Sequence, residues 1–102
     1  MVLMPISSST ERGVRIIALG GSVGENEAAE LRALLVRTIM REHPRAVRIE
    51  IDEASSLDST AIGALLAAVE IAREQDLDLE IRCLDRWAAA RLAERGVQVT
   101  AA

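Results

Sequence analysis

The sharpest constraint on the fold is a change of hydrophobic period between Asp52 and Ser59. In A-V-R-I-E-I-D (Ala46–Asp52), Val47, Ile49 and Ile51 alternate with Arg48, Glu50 and Asp52. That period of two predicts a strand with one buried face. A few residues later, L-D-S-T-A-I-G-A-L-L (Leu57–Leu66) opens a segment with helical spacing, predicted to run from about Thr60 to Gln75. Strand, short loop and apolar helix together make an α/β unit, and Asp58, Ser59 and Thr60 stand where the loop becomes the helix. A serine at that point can cap the helix. It can also carry a phosphate, because the free N–H groups and the helix dipole favour an anion there. The residues alone leave both roles open for Ser59.

The same reading gives the other elements. Val2–Ser8 predicts a first strand, confined to an edge by Pro5. Thr10–Gly13 predicts a turn, and Val14–Leu19 a second strand. Gly20, Gly21 and Gly24 interrupt the chain. From Glu27 onward Ala28, Leu31, Leu34, Leu35 and Ile39 share one helical face, with Asn26 as cap and Pro44 as stop. Leu77, Leu79 and Ile81 alternate with Asp78, Glu80 and Arg82 in a strand ending near Leu84. Asp85 caps a helix over Arg86–Arg95 that Gly96 ends, and Val97–Val99 predicts a last short strand. The fold class is therefore α/β, with a mixed central sheet of about four to five strands and helices packed against it. At 102 residues, a single domain over residues 1–102 is expected.

Composition removes several function classes. The chain has no Phe or Tyr and one Trp, so base stacking lacks its platforms. A formal net charge of −4 opposes a phosphate-backbone ligand, and no nucleic-acid partner is expected. No stretch approaches a membrane span or a signal peptide, so neither membrane insertion nor secretion is expected. Cys83, the only cysteine, cannot form an internal disulfide. It reads as a small core residue of a protein in the reducing cytoplasm. With one His and one Cys, a transition-metal site is not expected.

The second helix is too apolar for an ordinary surface helix. Ile62, Leu65, Leu66, Val69 and Ala72 form the face expected to meet the sheet. Thr60, Ala64, Ala67, Ala68, Ile71 and Gln75 lie opposite, where charged residues usually stand. A small apolar face beginning at Ser59 and Thr60 predicts a surface for a partner.

Other motifs carry little chemistry. G-G-S-V-G (Gly20–Gly24) lacks the first glycine of a dinucleotide fingerprint and the lysine of a P-loop, so it reads as a turn. His43 is the only histidine, and no G-x-S-x-G elbow surrounds any serine, which leaves no hydrolytic triad. Glu50 and Asp52 share a strand face beside Glu53 and read as a solvated acidic surface. Trp87 reads as a lid on the edge of the sheet. No catalytic role is expected.

The order of elements and the segment V-R-I-E-I-D-E-A-S-S-L-D-S-T-A-I-G-A-L-L resemble the STAS domain of bacterial anti-sigma-factor antagonists. G-G-S-V-G-E-N-E-A-A-E-L-R-A-L-L resembles the family's first Gly-turn and helix. L-D-L-E-I-R-C-L-D and L-A-E-R-G-V resemble its last strand–helix–strand unit. The likeness runs from about Val14 to Val99. It implies that Ser59, directly after Asp58 and followed by Thr60, is the phosphorylated hydroxyl. It implies partner switching: unmodified, the domain binds an anti-sigma factor that is also a serine kinase, and phosphorylation of Ser59 releases that partner. A phosphatase resets the switch. The kinase brings ATP and Mg²⁺, and this chain needs no cofactor of its own.

The partner face implied is Ser59, Thr60, Ala64, Ala67, Ala68 and Ile71, and a homodimer is compatible with it. Two positions depart from the family pattern. Gly24 stands near where an Asp is common, and Ala61 replaces the Gly of D-S-S/T-G. The resemblance leaves two alternatives. One is a small subunit of an ABC-type lipid transporter, bound to its ATPase through the same helix. The other is a scaffold that is never phosphorylated.

Overall fold

The computed structural model describes residues 6–52 and 56–100. Strands β1 (Ile6–Glu11), β2 (Val14–Leu19), β4 (Ala46–Ile51) and β6 (Leu79–Cys83) form one sheet in the order β1-β2-β4-β6. β1 is antiparallel to β2, and the other pairs are parallel. β1 and β2 join through a two-residue turn in which Arg12 and Gly13 both have positive φ (51° and 82°). That geometry suits the twist of a tight hairpin and asks for glycine at its second position. The turn is shorter than the predicted Thr10–Gly13, because β1 continues to Glu11. The part of the predicted first strand before Ile6 lies outside the described residues.

Parallel pairs need crossovers, and helices supply them. α1 (Glu25–Arg37) links β2 to β4, α2 (Ser59–Glu74) links β4 to β6, and α3 (Arg86–Glu94) follows β6. Alternation decides which face they cover. Ile17, Leu19, Val47, Ile49, Ile51, Ile81 and Cys83 are buried beneath them. Cys83 is thus the small core residue expected. The outer face carries Arg48, Glu50, Glu80 and Arg82, where Arg48 meets both glutamates and Glu80 also pairs Arg82. The acidic Glu50 is therefore part of a charge ladder.

α1 begins at Glu25 with Gly24 as its cap, two residues earlier than an Asn26 cap would place it. It leaves the α-helical path in a π-helical turn, Thr38–Glu42, and stops at His43, whose φ is 47°. α3 starts as its sequence demands, with the Asp85 carboxylate accepting the Ala88 N–H at 3.1 Å. The predicted Val97–Val99 strand is absent. Among the described residues after α3, Thr100 alone pairs with β6, its carbonyl accepting the Cys83 N–H and its N–H donating to the Ile81 carbonyl. Trp87 is not the packed lid expected of it. It is 48% exposed, and the Arg91 guanidinium stacks 4.9 Å from its ring centre.

Candidate functional site

Two short strands that periodicity could not reveal build the site. β3 (Ser22–Val23) and β5 (Ser56–Leu57) pair in parallel, Ser22 beside Ser56 and Val23 beside Leu57. Val23 and Leu57 are buried, which anchors both strands. Each strand is followed at once by a helix, so the N-termini of α1 and α2 lie side by side. Gly21 makes the approach possible. Its φ is 68°, and its carbonyl accepts the Ser56 N–H at 2.8 Å.

At the start of α2 the cap is Asp58 and not Ser59. One Asp58 carboxylate oxygen accepts the Ala61 N–H at 3.0 Å and the Thr60 hydroxyl. The Thr60 hydroxyl is the main cause of a lowered Asp58 pKa, with the Ala61 N–H adding to it. D-S-T offers three consecutive cap formers, and the carboxylate, as the strongest acceptor, takes the place. Ser59 is thereby released from capping. It occupies the first helical position, exposed, with no hydrogen-bond partner for its hydroxyl among the described residues.

Ser59 stands on the rim of a shallow groove between α1 and α2, about 510 Å³ in volume. Ser59, Thr60, Gly63, Ala64 and Ala67 line it from α2, and Glu25, Ala28, Ala29 and Arg32 from α1. The α1 wall escaped sequence reasoning. Its signal was the pair Ala28-Ala29, one turn into a helix that starts beside α2.

The face expected to bind a partner is only partly on the surface. Ala64 and Ala68 are buried, at 6% and 2% exposure. α1 packs along this side of α2, and small side chains let the two helices come close. Ala64 still floors the groove, whereas Ala68 belongs to the core. Ala67 is half-buried in the groove wall. Ile71 is half-buried against the core and does not protrude. The neighbouring helix turns the buried stripe toward Ala61, Ala64 and Ala68, so Leu66 and Val69 are only partly covered.

The electrostatics of the rim are acidic. Glu25 and Glu27 lie in the first turn of α1, beside Asp58. A Cβ added at Gly24 would lie 3.7 Å from carboxylate oxygens of both Asp58 and Glu27. A methyl fits there; a carboxylate would add a third negative charge. Ala61 is fully buried, so its extra methyl sits inside the core and away from the rim. Among the described residues no cluster of His, Cys, Asp or Glu is placed to hold a metal, and no helix is long and apolar enough to cross a membrane.

A family model described as "Mlab, STAS domain" matches residues 6–99. The chain belongs to the STAS-domain family. The STAS fold also appears in the solved structures it resembles. The anti-sigma factor antagonist SpoIIAA, in its unphosphorylated form, superposes with a TM-score of 0.79 at 15% identity, covering 95% of this chain and 88% of that one. A serine-to-glutamate variant of RsbS from Moorella thermoacetica gives 0.77 at 14% identity, covering 97% and 86%. A sulfate transporter family protein from Wolinella succinogenes gives 0.66 at 19% identity, covering 86% and 70%. At these identities the likeness is one of fold. No curated protein matches this chain in sequence.

Proposed function

We propose that this STAS domain is an anti-sigma-factor antagonist that works by partner switching in the cytoplasm. The observation that carries the reading is the Ser59 hydroxyl, exposed and unengaged at the first position of α2, on the rim of the α1–α2 groove. Unmodified, the groove and the adjoining turn of α2 receive an anti-sigma factor that is also a serine kinase. The kinase passes the terminal phosphoryl group of ATP to the Ser59 oxygen and releases ADP and the hydroxyl proton. A phosphatase hydrolyses the ester, returning the hydroxyl and inorganic phosphate. The domain itself acts by binding and catalyses no step.

Phosphoserine brings about −1.5 to −2 charges at neutral pH. It would stand beside Asp58, Glu25 and Glu27, where the rim is already negative. The α2 N-terminus offsets part of this charge, and the remainder opposes an apolar or acidic partner surface. The fold it shares with an antagonist described as unphosphorylated supports the reading.

The second reading is a small subunit of an ABC-type lipid transporter that docks its ATPase on α2; the same fold in a sulfate transporter family protein is in keeping with a place in transport, though not with that partner in particular. Affinity capture from native lysate, with wild type and Ser59→Asp side by side and mass spectrometry as readout, separates the two. An ATPase-fold kinase captured by wild type alone supports partner switching. A transporter ATPase supports the second reading, and equal capture of the kinase by both proteins contradicts the switch.

A further inference from the structure

The groove beside Ser59 holds a charge that the switch as described does not use. Among the described residues lining it, Arg32 is the only cation and Glu25 the only anion. Arg32, like Arg12, Arg37, Arg41, Arg45, Arg86, Arg91 and Arg95, makes no ion pair among the described residues, but it alone of these lines the groove. Arg32 follows Glu25 by seven positions, about 10 Å along the helix axis. Side chains on a helix lean toward its N-terminus, which directs a long arginine back toward the Ser59 end of the groove. The floor between them is Ala28, Gly63 and Ala64, so no bulky side chain stands in the way.

The geometry points to Arg32 as the internal counter-charge of phosphorylated Ser59, an inference that rests on reading Ser59 as the modified hydroxyl. A phosphate on Ser59 has two directions open to it. One leads toward the carboxylates of Asp58, Glu25 and Glu27, which repel it. The other leads along the groove to the guanidinium, whose fork of donors matches phosphate oxygens. In the second arrangement modification does more than add charge at the rim. It fills the groove and neutralises the one cation a partner would meet there. The unmodified domain keeps the groove open and Arg32 available.

The test installs phosphoserine at position 59 during translation, so it does not depend on any cellular kinase. ³¹P NMR titration then gives the second pKa of the phosphate in wild type, Arg32→Ala, Arg32→Lys and Arg41→Ala, with circular dichroism confirming the fold of each. Groups facing the phosphate are Arg32, Glu25 and Glu27 from α1 and Asp58 from the cap of α2; Arg41 lies in the π-helical turn beyond the far end of α1 and controls for net charge. The second pKa is expected to be lower in wild type than in Arg32→Ala by at least about half a pH unit. Arg32→Lys should fall between them, and Arg41→Ala should match wild type. Equal values in wild type and Arg32→Ala overturn the inference, as does an Arg41→Ala shift as large as that of Arg32→Ala. Partner binding is not measured, so failure of the switch itself shows separately, in the Ser59→Asp capture.

Discussion

At the residue scale, the division of labour in D-S-T decides the chemistry. Asp58 caps, Thr60 holds Asp58, and Ser59 is left exposed. The lowered Asp58 pKa has a consequence with a definite sign. An unfolded Asp titrates near 3.8, and folded Asp58 titrates below that. Its contribution is therefore complete above the ordinary value and is lost as pH falls through the folded value. Urea midpoints of wild type and Asp58→Asn, compared across pH, should differ at pH 6 and converge in acid below 3.8. A second prediction concerns Thr38, which is fully buried in the π-helical turn with a hydroxyl that finds no hydrogen-bond partner among the described residues. Thr38→Val keeps the shape and removes the unsatisfied group. It should raise stability by about 1 kcal/mol in denaturant unfolding. Which of three adjacent cap formers takes the cap was not legible in sequence, because each can do it and only the loop geometry selects.

At the element scale, β2, β4, β6 and all three helices were legible from an apolar run, alternation or helical spacing, whereas the Ser9–Glu11 half of β1 was not, because its residues after Ile6 are exposed and polar and show no alternation. The Asp85 cap was legible too, since one acidic residue stands directly before an apolar helix. α3 is only nine residues long, so it depends on that cap. Asp85→Ala should cost about 1 kcal/mol in thermal or urea unfolding. β3 and β5 were not legible, because two residues cannot show a period. They exist because Val23 and Leu57 are buried and Gly21 turns the chain out of β2 into β3, its carbonyl taking the Ser56 N–H. Val97–Val99 failed for the opposite reason. Alternating valines resemble a strand, but the chain reaches the β6 edge only at Thr100. The buried positions of Ala64 and Ala68 were also hidden. Alanine reads as neutral on a helix wheel, and only the placement of α1 shows which side it covers.

At the scale of the whole molecule, the sheet fixes the site by position. Parallel pairing of β3 with β5 sets two helix N-termini together on one rim, and the α1–α2 groove opens beside them. The main sheet holds both helices through a continuous aliphatic core, so a charge added at Ser59 changes the rim and leaves the core untouched. That separation is what a binding switch requires: a local charge with a large effect on association and little on folding. The most direct measurement is isothermal titration of the captured kinase with wild type and with protein carrying phosphoserine at position 59. The account predicts at least a tenfold loss of affinity on phosphorylation, about 1.4 kcal/mol, with unchanged thermal unfolding. Equal affinity of the two forms would contradict it.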